Sequence, residues 1–477
     1  MTYCTMRDFL AILEDKGLLR RIAKPVDPLW EIAGLAKWLF QALPAERRFG
    51  MYFENVEGLD MPVVTGALGA NTATYAAALG VEESGINDAW VKALRNPIAP
   101  KVIDRGLCQE VVINGKDVRL SRLPVPVWTP GKDVGPYLTT NTVTKDYDTN
   151  IQNMGVYRTM IRDETSVIPN LAPGRQGQQN TVTWTNKGKA APIAWVISAP
   201  PAVHLAAVVK LPYGADELDI AGGMIGAPVP MVKAKTVDLL VPADAEIIIE
   251  GEIHPGETAM EGPFGEFAGY MGPVDRRPIA RITAITYRKN PIYYGYTSQM
   301  PPSESTTIQS LANAGLLFKT LRHDVGEIAV CDVYIDLHFG GSLGQAIIAM
   351  KPGYPGHAKK VGRLAAGLCR AKSLVVVDDD IDIRDSLHVD WAMSSRYNPH
   401  RDTIIVDELF NIFDPSVRVE QKNMGSQIVF DATDKASPGP FSLPPKEIMS
   451  KALDSWKASG LPEFEIPRRA QLRVDRS

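Results

Sequence analysis

Apolar residues change their spacing twice along the chain, and the changes divide it into three textures. In the first hundred residues they fall at helical intervals between short apolar triplets. Phe9, Leu10, Leu13 and Leu18 share such a spacing. Thr5 with Asp8 three residues on resembles a capping box, and Gly17 is a natural terminator. Ile32, Leu35, Ala36 and Leu39 mark a second helix, predicted to open at Asp27-Pro28, since aspartate caps and proline suits a first turn. Met51-Tyr52-Phe53 and Pro62-Val63-Val64 read as short strands, and residues 74–79 and 89–94 as helices. From about residue 108 the pattern turns to β. Val111-Val112-Ile113 and Val118-Arg119-Leu120 flank Asn114-Gly115, which predicts a hairpin. Strands are predicted over 139–144, 155–161, 193–197, 246–253, 279–287 and 292–296, with a turn at Lys289-Asn290 and one helix over 202–209. Such a middle reads as a barrel or sandwich. After about residue 305 helix and strand alternate again: 328–335, 373–377 and 403–406 are β-rich, and 357–370 is an amphipathic helix. The last forty residues read as loops with one helix over 445–456 before a polar tail.

The predicted fold class is therefore mixed α/β and α+β, with regions 1–107, 108–310 and 311–477. A chain of 477 residues suits two or three domains. Lys and Arg total 51 against 55 Asp and Glu, so no positive excess exists to hold nucleic acid or anionic lipid. No apolar run reaches the length of a membrane span, and the start lacks a signal peptide's apolar stretch. Cys4, Cys108, Cys331 and Cys369 are sparse and far apart, as in a protein of a reducing, cytoplasmic compartment. Glycine (39) and proline (36) are enriched in short punctuation, which means many tight turns.

Several segments carry candidate chemistry. Glu261-Gly262-Pro263-Phe264-Gly265-Glu266 sets two carboxylates around a rigid Gly-Pro and a permissive glycine, so a backbone turn could aim both acids at one place. Two such acids in different environments take different pKa values, as proton transfer requires; the plain alternative is a solvated acidic turn. In Asn153-Met154-Gly155-Val156-Tyr157-Arg158 a continuous strand would point Asn153 and Arg158 to opposite faces unless a bulge intervenes. Gly155 would let backbone approach a ligand, and Arg158 could hold a carboxylate or pair with Glu261; the alternative is an edge strand with an exposed arginine. Asp216, Glu217 and Asp219 precede a glycine-rich stretch and suit a hard cation or a solvated loop. Asp378, Asp379, Asp380 and Asp382 end an apolar strand, where acids bind cations, cap helices or stay solvated. The glycines of 340–344 match neither a P-loop nor a dinucleotide fingerprint. His204 and His357 read as packing residues.

Taken in order, NMGVYR (153–158), ELDIAGGMIG (217–226), LLVPADAEIIIEGEI (239–253), EGPFGE (261–266), GHAKK (356–360), VVVDDDID (375–382) and FDATDK (430–435) resemble the UbiD family of reversible (de)carboxylases over most of the chain. The resemblance implies an N-terminal α/β region, a split β-barrel flavin-binding domain and a C-terminal α/β oligomerisation domain in a homodimer or homohexamer. It implies prenylated FMN, supplied by a partner flavin prenyltransferase, with a divalent metal (Mn2+ or Mg2+) and K+. Asn153 and Glu217 would take the metal-ligand positions. The backbone at Val156, Tyr157 and Arg158 would lie against the flavin. Arg158, Glu261 and Glu266 would form the catalytic network, with Glu266 as proton donor and Arg158 orienting the substrate carboxylate. The reaction would be non-oxidative loss or gain of CO2 through a covalent adduct with the cofactor. Such a cofactor is needed because an sp2 carbanion has nowhere else to place its electrons, and the proton must come from an acid in a water-poor pocket.

The family's metal-binding histidine has no counterpart: its window reads Ala172-Pro173-Gly174-Arg175-Gln176-Gly177, and the first histidine of the chain is His204. Gln176, a water or a phosphate oxygen would stand in. Phe267 and residues 300–308, from Met300 to Ile308, should line the substrate pocket; an aromatic wall with hydroxyls suits a planar aromatic or heteroaromatic acid, with an acyclic unsaturated acid as the alternative. Two other readings compete, a flavin-binding protein without decarboxylase activity and an FMN oxidoreductase.

Overall fold

The computed structural model describes residues 4–211, 214–338, 343–410, 414–417, 424–435 and 441–475. The chain forms two compact units. The first comprises Met1–Leu316 with Leu337–Gly341, the second Leu317–Asp336 with Ser342–Ser477.

The first unit is built on a nine-stranded sheet. Its strands run in the order Tyr137–Leu138, Thr159–Asp163, Ser166–Pro169, Asp275–Tyr287, Ile247–Glu261, Ala191–Ile197, Asn141–Lys145 and Gln152–Val156, with Val111–Asn114 also on Asp275–Tyr287. The expected split barrel is thus an open sheet. Ala191–Ile197 is buried throughout because successive side chains enter different cores. Ala194 and Val196 join one apolar cluster, and Ile193, Trp195 and Ile197 the other. That double burial is why the strand reads as an unbroken apolar run. A four-stranded sheet (Leu19–Ile22, Gly50–Phe53, Val63–Thr65, Tyr293–Tyr294) and a three-stranded one complete the unit. The second unit holds a five-stranded sheet ordered Val330–Ile335, Gln345–Met350, Ser373–Asp378, Met424–Asp431, Thr403–Phe410, with the helix His357–Leu368 packed on it. No helix among the described residues is long and apolar enough to cross a membrane.

Local signals hold where the contacts are local. The helix Met6–Asp15 has its capping box, with Thr5 and Asp8 bonded reciprocally, and Gly17 turns the chain at φ +70°. Elsewhere packing overrides pattern. The second helix is Glu31–Ala42, not a helix from Asp27: Asp27 accepts from Leu29 N and makes a turn, while Glu31 bonds back to Asp27 N. The expected hairpin at Asn114-Gly115 does not form. Only Gly115 takes positive φ while Asn114 stays extended, so no type I′ turn closes, and Val111–Asn114 pairs with Asp275–Tyr287 instead. The strand predicted over 155–161 is two strands, Gln152–Val156 and Thr159–Asp163. Asn290 turns the chain at φ +52°, but the following Tyr293–Tyr294 leaves for the four-stranded sheet, where it runs parallel to Val63–Thr65. The tail carries a second helix, Arg468–Asp475, beyond Lys446–Ala458. Residues 340–342 of the glycine-rich 340–344 stretch lie outside the described residues.

Candidate active site

The break in the sheet at Tyr157-Arg158 creates the site. Gln152–Val156 pairs with Asn141–Lys145, setting Asn153 opposite Thr144 and Gly155 opposite Thr142. The ladder stops at Val156 and the chain rejoins the sheet at Thr159, opposite Pro169. Because two residues lie outside the pairing, the parity of a continuous strand no longer fixes where Arg158 points.

Glu261 is the last residue of the long strand Ile247–Glu261 and is fully buried. Arg158 grips it bidentately, Nε to Oε1 and Nη2 to Oε2, both at 2.9 Å, and uses Nη1 to bond Glu266 Oε1. One guanidinium thus bridges both acids of EGPFGE, and neither is the solvated turn of the plain alternative. The Phe264 ring lies 5.2 Å beneath the guanidinium carbon. The loop is held at Gly265, whose N–H donates to Asp133 Oδ1 (3.1 Å), and at Glu266, whose N–H donates to Tyr270 O (2.8 Å). Gly272 leaves room for that carboxylate, since a Cβ there would fall 2.8 Å from Glu266 Oε1 and displace it.

At the other end of the segment stands Glu217. Asp216 caps the helix Glu217–Ile225 by accepting from Leu218 N (2.8 Å), so these acids form a first helical turn, not a loop. Glu217 accepts from Met154 N (3.0 Å), tying helix to strand beside Asn153. Burial pushes its carboxyl up to about 7, against the pull of that N–H. Among the described residues no cation pairs with it. Asn153 is buried and its Nδ2 lies 3.5 Å from the Tyr157 hydroxyl, which accepts from Gly177 N at 3.1 Å. Nearby on the helix Gln176–Thr185, Gln176 Nε2 and Asn180 Oδ1 are buried and have no partner among the described residues. No group of three or more His, Cys, Asp or Glu among the described residues could hold a metal. A hard cation would therefore rest on one carboxylate, amide oxygens and water. The buried, cation-less Glu217 and the unpartnered Asn180 Oδ1 fit such an ion.

Other expectations are redirected. Gly155 makes room for the chain's own Tyr157 ring, which also presses on Gly177: a Cβ at either would lie about 3 Å from it. Val156 is exposed, Phe267 half-buried, and Met300 exposed beside Gly269. Ile308 is buried in the apolar core against Gly69, on the helix Glu304–Lys319. Asp378 and Asp380 both accept hydrogen bonds from Arg396 at 2.6–2.8 Å. His357 pairs with Glu327 (2.9 Å), and His204 is a buried packing residue.

Sequence reading missed Lys37, Asp133 and Gln299, which gather behind the EGPFGE loop. Lys37 donates to Ser298 O (2.5 Å) and to Gln299 Oε1. A signal was present, since Lys37 falls on the buried stripe of Ala33, Ala36 and Phe40.

Family models match almost end to end. The 3-octaprenyl-4-hydroxybenzoate carboxy-lyase (UbiD) N-terminal domain matches residues 10–94, its Rift-related domain 101–301 and its C-terminal domain 306–432. Among solved structures, the UbiD-class enzyme HmfF from Pelotomaculum thermopropionicum in complex with FMN is 32% identical over 96% of this chain and 99% of that one, with TM-score 0.84. An evolved dimeric form of HmfF in complex with prFMN is 32% identical over 92% and 97%, with TM-score 0.81. Vanillic acid decarboxylase of Sedimentibacter hydroxybenzoicus in closed form is 28% identical over 96% and 99%, with TM-score 0.82.

Proposed function

The chain belongs to the UbiD family of carboxy-lyases, and from that premise we propose that it catalyses the non-oxidative, reversible decarboxylation of an aromatic or heteroaromatic carboxylic acid, with prenylated FMN as cofactor and Glu266 as proton donor. The observation that carries this reading is the single guanidinium of Arg158 shared between buried Glu261 and Glu266. A binding site has no need of such a pair; a proton-transfer site does.

Each residue has a physical task in this reading. Glu261 fixes Arg158 by two parallel bonds, so the guanidinium keeps one orientation through the reaction. Arg158 holds the substrate carboxylate and leaves Glu266 next to the carbon that loses CO2. When the C–C bond breaks, that carbon gains an electron pair and takes a proton from Glu266, which becomes a carboxylate beside Arg158 and is reprotonated before the next turnover. Bound prenylated FMN supplies the electron sink. The backbone at Val156, Tyr157 and Arg158, two residues of it outside the ladder, would hold the flavin. Asn153 and Glu217 would hold a divalent ion, Mn2+ or Mg2+, with Gln176 in place of the missing histidine, and K+ would accompany it. Phe267 and Met300 border the substrate, while Ile308 belongs to the core. A flavin prenyltransferase supplies the cofactor. Residues 1–107, 108–310 and 311–477 serve as N-terminal, flavin-binding and oligomerisation domains of a cytoplasmic homodimer or homohexamer.

The test is co-expression with a flavin prenyltransferase, release and weighing of the bound cofactor, and CO2 release from a panel of aromatic and heteroaromatic acids. Prenylated FMN and turnover are expected, with Glu266→Gln keeping the cofactor and losing turnover. Plain FMN with nicotinamide-driven flavin reduction, or full activity in Glu266→Gln, would overturn the reading.

A further inference from the structure

The loop 262–272 carries Glu266, and it folds on itself as a small hairpin. Glu266 N donates to Tyr270 O (2.8 Å), Gly269 N to Glu266 O (3.0 Å) and Gly272 N to Phe264 O (2.8 Å), with Gly265 bridged to Met271. Bonds of this kind shape the loop and travel with it, so they do not fix where it stands. The buried Phe264 ring holds it down against Tyr137, with ring centroids 4.4 Å apart. Apolar contact has no direction, which leaves the register of the loop to hydrogen bonds from outside it. These come from residues 129–134. Val134 N donates to Pro263 O (3.4 Å), and Asp133 Oδ1 accepts from Gly265 N (3.1 Å), one residue before Glu266.

Asp133 is itself anchored. Its other oxygen accepts from Thr129 N (2.6 Å), while Lys132 N and Asp133 N both donate to Thr129 O (3.0 and 2.9 Å). The loop sits flush on this turn, since a Cβ on Gly265 would lie 2.9 Å from Thr129 Oγ1 and 2.5 Å from Gln299 Cγ. Two N–H groups from different segments thus converge on one side chain. Only a carboxylate offers both an acceptor oxygen without setting a donor against either. Burial pushes the Asp133 carboxyl above its ordinary value, against the pull of the two N–H groups, Lys37 and Arg158. The reward for that cost is precision, because a displacement of about 1 Å in a reacting group lowers the rate on the order of a hundredfold.

We propose that Asp133 is the positioning residue of this site: it holds Gly265 N and so sets where the Glu266 carboxyl stands relative to Arg158 and to the carbon that exchanges CO2 for a proton. This rests on the decarboxylase reading for the task of Glu266, whereas the placement of the loop stands independently of it.

The experiment compares Asp133→Asn and Asp133→Ala with wild type, all flavin-loaded, by crystal structure and by kcat and KM for CO2 release from the acid that wild type turns over best. Asp133→Asn keeps the size of the side chain, but whichever way its amide turns, an NH2 faces one of the two N–H groups. It is therefore expected to lower kcat at least as far as Asp133→Ala does, by about a hundredfold. KM and flavin content should stay as in wild type, with Glu266 moved off Arg158 and Glu261 keeping both its bonds. A packing role predicts the reverse order, a nearly silent Asp133→Asn and a damaged Asp133→Ala, and that order would overturn the proposal. So would Glu266 in its wild-type place in both variants, or a loss carried by KM alone. If wild type releases CO2 from no acid, the decarboxylase reading falls, and the position of Glu266 in the variant crystals decides for or against Asp133 by itself.

Discussion

Glu261 and Glu217 are buried acids at the two ends of one short segment, residues 153–158, and the fold treats them in opposite ways. Glu261 receives a bidentate guanidinium at 2.9 Å, and that same guanidinium reaches Glu266. Glu217 receives only backbone N–H groups, those of Met154 and of its own residue, and among the described residues no cation, and its carboxyl is driven up to about 7 by burial. The first end is complete as it stands: charge is compensated before anything binds, so geometry is fixed in advance of the chemistry. The second end is a demand, a desolvated carboxylate with the unpartnered Asn180 Oδ1 nearby, which an added cation would satisfy. The segment therefore separates an end whose charge is already compensated from one whose charge is not.

The largest expected effect comes from breaking the complete end. Arg158→Met strands Glu261 in the interior with no counter-charge. Stability should fall by about 3–5 kcal/mol, the cost of removing one partner of a buried pair, and turnover should vanish. Adding Glu261→Leu should return most of the stability and none of the turnover. Urea unfolding of both variants checks this, and a single variant as stable as wild type would mean that the pair contributes nothing to the fold.

Breaking the other end should have the opposite sign. Glu217 is raised from its ordinary 4.5 to about 7, so the folded state binds more protons than the unfolded between those values. The burial penalty is absent below about pH 4.5, grows as pH rises, and is complete above about pH 7. Glu217→Gln keeps an acceptor for Met154 N and carries no charge. Without added metal it should be more stable than wild type at pH 8 by on the order of 1–3 kcal/mol, with the gap closing towards pH 4.5. Mn2+ should raise the melting temperature of wild type and leave the variant unmoved. A variant less stable than wild type at pH 8 without metal would show that Glu217 is already satisfied.

Much of this contrast was legible in the sequence, and what was not has a physical reason. The acids of EGPFGE and the arginine of NMGVYR stand out because the turn chemistry around them is local, and the same holds for the capping box at Thr5. Asn114-Gly115 misleads because a hairpin needs a partner strand, and the edge of Asp275–Tyr287 competes for Val111–Asn114. Asp27-Pro28 misleads because aspartate caps turns as readily as helices. Gly155 offers space that the chain fills with its own Tyr157. Gln299 and Lys37 are invisible to any local window, being 262 residues apart in sequence. Lysine on a buried helical stripe was the available sign, and it has meaning only when the group facing it is known.

The smallest expected effect separates burial from charge demand by way of a third buried group. His204 is wholly enclosed, and each ring nitrogen is used: Nε2 accepts from Ala199 N (2.9 Å), so Nδ1 carries the proton and faces the Tyr296 hydroxyl (2.7 Å), which itself donates to Asn141 (3.0 Å). Burial holds the ring at about 3, below its ordinary 6.5. Its folded pKa is depressed, so its contribution is complete above about pH 6.5 and is lost as pH falls towards 3. At pH 5.5 only the unfolded value matters, and the loss is about 1.4 kcal/mol relative to pH 8. His204→Gln gives up hydrogen bonds at every pH, so the informative quantity is slope: the variant should lose less stability than wild type between pH 8 and 5.5 by that amount. Glu217 acts in the same window with the reverse sign, stabilising wild type as pH falls from 7 to 4.5. The two variants should therefore tilt the stability curve in opposite directions, His204→Gln flattening its acid side and Glu217→Gln steepening it. If both tilt it the same way, the two sites do not differ in the way their hydrogen bonds and charges require.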